Sequence, residues 1–123
     1  MAPKTILLID DDDTVIEVGR ELLNLLGYEV LVAKTGTEAL VLVSSHPGAI
    51  DLALLDYFLP DLKGSELFPQ LRAVRPELKV IICTGYSIDD SIRALLRQGA
   101  VGFLQKPFPL DQLREKIETA LAL

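Results

Sequence analysis

The sequence holds one cysteine, Cys83, and one histidine, His46. A lone cysteine excludes an internal disulfide, which fits a reducing compartment. Its place in the apolar run Val80-Ile81-Ile82-Cys83 suits a small core residue. His46 stands in a Ser-Ser-His-Pro-Gly turn rather than on a helix, as a solvated loop residue would, and not as a phosphoacceptor. Long apolar runs are also missing. Those present are short, such as Ile6-Leu7-Leu8-Ile9, whereas a membrane helix needs about 20 residues; no span is expected. The opening Met1-Ala2-Pro3-Lys4 is too short for a signal peptide and leads straight into a strand. Positive charge is in the minority, with 12 Lys and Arg against 18 Asp and Glu and a net charge of -6. Phosphate contacts need clustered Lys and Arg, so the chain is not expected to grip nucleic acid. Part of the negative charge is local, because positions 10–13 are all Asp, and such a run wants a cation.

What is present is a chain of 123 residues, half of them hydrophobic. That is enough for one domain, spanning 1–123, with a proper core. Hydrophobic period and punctuation alternate strands with helices. Strands are predicted at 5–9, 29–33, 51–55, 79–83 and 101–105. Helices are predicted at about 15–26, 35–43, 65–74, 88–98 and 110–122. Thr14 with Glu17, and Thr35 with Glu38, have capping-box spacing, while Gly27 and Gly99 stand where helices end. Five βα units imply an α/β fold: a doubly wound, flavodoxin-like (βα)5 domain with a parallel sheet in the order 2-1-3-4-5. A closed barrel would need eight units.

In such a sheet all strands point one way, so residues just past strands one, three, four and five gather on one edge. Those residues are Asp10 and Asp11, Asp56, Thr84 and Lys106. Crowded carboxylates repel unless protons or a metal intervene. Oxygen ligands with room for water suit Mg²⁺. Lys106 adds a compact positive charge for an anion, and Thr84 a hydroxyl. A carboxylate can attack phosphorus, while metal and lysine neutralise the phosphoryl oxygens. Each residue alone is commonplace; the conjunction and its order along the chain point to phosphoryl transfer.

With these motifs in view, the whole chain resembles the receiver domain of bacterial response regulators. The matching stretches are Ile6-Leu7-Leu8-Ile9-Asp10-Asp11, Leu54-Leu55-Asp56-Tyr57-Phe58-Leu59-Pro60-Asp61-Leu62-Lys63-Gly64, Val80-Ile81-Ile82-Cys83-Thr84-Gly85 and Gly102-Phe103-Leu104-Gln105-Lys106-Pro107-Phe108. The family itself exemplifies the 2-1-3-4-5 order, so fold and family are one inference rather than two. The resemblance implies that Asp56 accepts a phosphoryl group from a histidine kinase or a histidine phosphotransfer protein. It implies Mg²⁺, for which Mn²⁺ could substitute, held by Asp11, Asp56 and the main-chain carbonyl of Phe58, with Asp10 acting through metal-bound water. Lys106 would contact the phosphoryl group, and Thr84 and Phe103 would reorient as the switch pair. A cis peptide is expected before Pro107. Output would pass to an unknown protein through the fourth helix, fifth strand and fifth helix.

The same resemblance implies a cytoplasmic switch with slow self-catalysed chemistry rather than a metabolic enzyme. It would be a monomer or a phosphorylation-dependent dimer. With no effector domain after Leu123, it would be a free-standing regulator or a receiver excised from a hybrid sensor kinase. The common switch tyrosine is replaced by Phe103. Phe58 and Tyr86, two residues beyond Asp56 and Thr84, would shield the phosphoryl group from water or simply pack on each other. Two other readings stand beside this one. Asp10-Asp11-Asp12-Asp13-Thr14 resembles the opening of haloacid-dehalogenase-type phosphatases, with Asp10 as nucleophile. That reading lacks a second acidic pair after Lys106 and leaves Asp56-x-x-x-Pro-x-x-x-Gly unexplained. A binding-only pseudo-receiver would be expected to lack an Asp, Thr or Lys that is present here.

Overall fold

The computed structural model describes residues 3–123; Met1 and Ala2, on which the expectation about a signal peptide partly falls, lie outside the described residues. Strands and helices alternate: β1 (Thr5–Ile9), α1 (Asp13–Leu25), β2 (Glu29–Ala33), α2 (Gly36–Ser45), β3 (Leu52–Asp56), α3 (Gly64–Val74), β4 (Lys79–Thr84), α4 (Asp90–Arg97), β5 (Gly102–Gln105) and α5 (Leu110–Leu121). The strands form one sheet in the order β2-β1-β3-β4-β5, and every pair is parallel. No helix among the described residues is long and apolar enough to cross a membrane.

The strands are apolar on both faces because both faces are covered. Leu7, Ile9, Ala53, Leu55, Val80 and Ile82 pack with Ala39 and Val43 of α2, Leu67, Phe68 and Leu71 of α3, and Ile92 and Leu95 of α4. Their neighbours Ile6, Leu8, Leu52, Leu54, Ile81, Cys83 and Leu104 face the other way, onto Leu23 of α1 and Leu113, Ile117 and Ala120 of α5. Burying each Leu or Ile contributes about 1.5–3 kcal/mol, and this double layer holds the strand ends rigidly in line.

Helix ends differ from expectation in three places, one being α2, which runs on to Ser45 instead of stopping near Val43. The first helix is capped by Asp12, not Thr14: the Asp12 carboxylate accepts from the Thr14 and Val15 backbone N–H groups at 2.8 and 3.2 Å. Asp is at least as good a cap as Thr, and Asp12 is the first of the two able to serve. The fourth helix starts two residues late, because Asp89 caps it by accepting from Ile92 N–H at 3.0 Å. Thr35 caps α2 as expected, accepting from Glu38 N–H at 3.0 Å. Gly27 and Gly99 end α1 and α4 with φ of 90° and 117°, a conformation that favours glycine. The Lys106–Pro107 peptide is cis, as the resemblance implied.

Candidate functional site

Parallel strands deliver the acids to one edge. Asp10 follows β1, and its N–H donates to the Ala33 carbonyl at 3.0 Å. Asp56 is the last residue of β3, opposite Cys83 of β4. Thr84 ends β4 opposite Gln105, and Lys106 N–H donates to its carbonyl at 2.8 Å. Strand pairing therefore continues into the functional residues themselves, and the backbone of each is fixed by its neighbour.

The side chains converge. Asp10, Asp11 and Asp56 each offer a carboxylate oxygen, and these oxygens all lie within 4.8 Å of one another. Asp10 and Asp56 are buried, at 2% and 6% exposure, while Asp11 is open to solvent. The Lys106 ammonium donates to Asp10 Oδ2 at 2.5 Å and lies 3.3 Å from Asp56 Oδ1. Asp12 N–H donates to the other Asp10 oxygen at 3.0 Å. One ammonium against three carboxylates leaves excess negative charge. On Asp56, burial, and then the neighbouring charge of Asp10, push the pKa up to about 6 against the opposing pull of Lys106. Burial works against the Lys106 ammonium, but its hydrogen bond to Asp10 and the charges of Asp56 and Asp10 outweigh burial and raise its pKa.

This donor set fits a small divalent cation. It is all oxygen and over-charged, and one carboxylate is reached by solvent, so a hard ion could keep part of its water shell. The mismatch of charge is the structural observation that calls for such an ion, since a group of acids meant only for packing would be balanced within the protein.

Thr84 is buried at 2% exposure, and its hydroxyl is engaged locally, accepting from Tyr86 N–H at 3.2 Å. It lines a cavity of about 180 Å³ shared with Tyr57, Phe58, Tyr86 and Ile92. Phe58 and Tyr86 are exposed, and their rings meet edge to face at 5.4 Å; Tyr57 packs on Phe58 at 4.8 Å. Phe103 is half-buried against the core layer that includes α4. The strand-end logic thus brings together Asp10, Asp11, Asp56 and Lys106, and leaves Thr84 and Phe103 nearby but not bonded to the acids. Cys83 is inert, its thiol pushed up to about 12 by burial. Sequence reasoning missed Asp61, whose carboxylate reaches Gly36 and Thr37 at the start of α2. No local pattern announces a contact across that distance in the chain.

Comparison with known proteins agrees with this geometry. Residues 6–118 match the family described as "Response regulator receiver domain". The sensor kinase CckA of Brucella abortus is 36% identical over 117 residues, which are 95% of this chain and 12% of that protein; the chain spans a small fraction of that relative's length. A CheY-like response regulator receiver domain protein from Methanospirillum hungatei superposes with a TM-score of 0.89 at 35% identity, covering 98% of this chain and 94% of that one. The receiver domain of a sensor histidine kinase from Pseudomonas aeruginosa PAO1 has a TM-score of 0.87 at 25% identity over 99% of this chain and all of that one, and its structure holds a magnesium ion in the active-site cleft. Sequence and fold agree across these comparisons, and the chain belongs to the response regulator receiver domain family of two-component signalling.

Proposed function

We propose that residues 1–123 form one domain that accepts a phosphoryl group on Asp56 from a phosphohistidine of a histidine kinase or histidine phosphotransfer protein. The observation that carries this reading is the buried Asp56 carboxylate, set beside Asp10, Asp11 and Lys106 at the end of the central strand. An Asp56 oxygen attacks phosphorus. The bond from phosphorus to the imidazole nitrogen breaks, its electron pair stays on that nitrogen, and an acyl phosphate remains on Asp56. Lys106 already touches the Asp56 oxygen and would follow charge onto the phosphoryl group.

Asp11, Asp56 and the Phe58 carbonyl would hold Mg²⁺, or Mn²⁺ in its place, with Asp10 acting through its water. Bound there, the ion would neutralise the carboxylates and the phosphoryl oxygens. Thr84 would release Tyr86 N–H and turn to the new anion, and Phe103 would move with it. The phosphoryl charge would thereby bias the surface of α4, β5 and α5 toward an output protein. This is a cytoplasmic switch rather than a metabolic enzyme, whether free-standing or part of a hybrid kinase, and whether monomeric or dimerised by phosphorylation.

The phosphatase reading is disfavoured by geometry as well as motif. Asp10 is held by Lys106 on one oxygen and Asp12 N–H on the other, which leaves it poorly free to attack. A pseudo-receiver would not need the full set of Asp10, Asp11, Asp56, Thr84 and Lys106. Reduction of the acyl phosphate with borohydride, followed by peptide mapping, distinguishes these readings. Homoserine should appear at position 56; its appearance at position 10 would establish the phosphatase-like nucleophile instead.

The edge-to-face pair of Phe58 and Tyr86 supports shielding of the phosphoryl group by two rings. Replacing both with Ser should shorten the phosphoryl lifetime about tenfold, equivalent to ~1.4 kcal/mol in the hydrolysis barrier. An unchanged lifetime, followed by intact mass after removal of the phosphodonor, would mean that the rings only pack on each other.

A further inference from the structure

The loop 57–63 joins Asp56 to α3 and carries the Phe58 main chain. Its start is anchored by the buried side chains of Tyr57 and Leu59. Its two ends are tied together by the Phe58–Lys63 bridge and by Gly64 N–H donating to the Tyr57 carbonyl at 2.7 Å. The outer half is held from outside. Asp61 Oδ1 accepts from Gly36 N–H at 2.8 Å, and Oδ2 accepts from the Thr37 N–H at 3.0 Å and the Thr37 hydroxyl at 2.9 Å.

These N–H groups are donors of the first turn of α2 that have no partner within the helix, and a carboxylate is favoured there. The hydrogen bond from Gly36 N–H is the largest influence on the Asp61 carboxyl and lowers its pKa, so it accepts throughout the working pH range. Leu62 completes the join. A Cβ on Gly36 would come within 2.7 Å of Leu62 Cδ1, so residue 36 has no side chain where the loop lies on the helix. An exposed acid thus makes three charge-assisted contacts to an element that otherwise takes no part in the acidic edge.

We propose that Asp61 is a positioning residue: its grip on Gly36 and Thr37 fixes the 57–63 loop, and with it the Phe58 main chain, against the acidic edge. The inference rests on the phosphoacceptor reading above. Groups that orient a metal ligand without touching the metal commonly matter about tenfold or more in affinity.

The test compares wild type with Asp61→Ala, Asp61→Asn and Thr37→Val, with Arg75→Gln as a control. Arg75 donates to the Val43, His46 and Gly48 carbonyls at the opposite end of the sheet, so its loss destabilises the fold away from the site. Mg²⁺ affinity is read by titration calorimetry, and amide hydrogen exchange over 57–64 is read without metal. Phosphorylation by acetyl phosphate is followed across a Mg²⁺ series. Asp61→Ala should raise the Mg²⁺ Kd about tenfold, speed exchange in the loop, and slow phosphorylation at low Mg²⁺ with recovery at saturation. Asp61→Asn should fall between it and wild type, because its NH₂ cannot accept from Thr37. Thr37→Val loses only the hydroxyl contact, keeps the fold, and should raise Kd about twofold to threefold. Arg75→Gln should leave Kd unchanged. An unchanged Kd in Asp61→Ala and Thr37→Val, or an equal rise in Arg75→Gln, would overturn the proposal while leaving the phosphoacceptor reading intact. A wild type that neither binds Mg²⁺ nor gains a phosphoryl group would overturn that reading itself.

Discussion

Replacing Asp56 with Asn should stabilise the metal-free protein by about 1–3 kcal/mol at pH 7.5 while abolishing its phosphorylation. The reason is burial of the Asp56 charge, and after it the excess negative charge at this edge of the sheet. Burial and Asp10 raise the Asp56 pKa to about 6, from the 3.8 of an unperturbed carboxyl. Between those two values the folded state holds more protons than the unfolded one, so stability falls as pH rises through that window. Below pH 4 the penalty is absent; above about pH 7 it is complete. A carboxyl made tenfold weaker as an acid by folding costs about 1.36 kcal/mol once ionised. The expected gain is discounted for solvent that reaches the site past the exposed Asp11. Asn keeps the shape and removes the charge, so the gain should be near zero at pH 4 and largest at pH 7.5. Chemical denaturation in EDTA at several pH values measures it. Saturating Mg²⁺ should stabilise wild type far more than Asp56→Asn and close the gap. A pH-independent difference would mean that desolvated charge is not what strains this edge.

Lys106→Met should act in the opposite direction. Met keeps an aliphatic stem of similar length but removes the ammonium that donates to Asp10 and neighbours Asp56. Breaking a buried ion pair from one side costs about 3–5 kcal/mol. Lys106 is partly solvated, with 18% of its side chain exposed, so the expected loss is discounted to about 2–3 kcal/mol at pH 7.5, at or below the bottom of that range. The loss should shrink on acidification, as the Asp56 carboxyl takes up a proton, and on addition of Mg²⁺. Phosphorylation should also slow by about 10²-fold or more, the usual consequence of removing one preorganised charge from a forming anion. Opposite signs for the two substitutions, both converging toward wild type when the cation is added, are the signature of a site held over-charged for a ligand. If both variants lost stability alike, the acids and the lysine would form an ordinary structural network.

The site was legible where a simple rule governs the backbone. Parallel strands end on one edge, so Asp10, Asp56, Thr84 and Lys106 had to gather once the alternation of strands and helices was read. The observed register places Asp56 opposite Cys83 and Thr84 opposite Gln105, as that rule requires. It was less legible where two residues compete for one task. Asp12 and Thr14 could each cap α1, and the earlier of the two takes the role. Pro69 lies inside α3, where it removes a helical hydrogen bond; burial of Leu67, Phe68 and Leu71 outweighs that loss, and the helix runs through, as its apolar period predicted. Contacts between distant segments left no trace at all. Nothing in the spacing of Asp61 and Thr37 says that they meet. Those contacts depend on loop heights, which hydrophobic period does not encode.

The most direct test of Asp56 as phosphoacceptor is intact mass after incubation with Mg²⁺ and acetyl phosphate, for wild type and Asp56→Asn. The geometry predicts a gain of one phosphoryl group in wild type only, lost when the metal is chelated. A gain that survives Asp56→Asn would contradict it, because the nucleophile would then lie elsewhere among the acids.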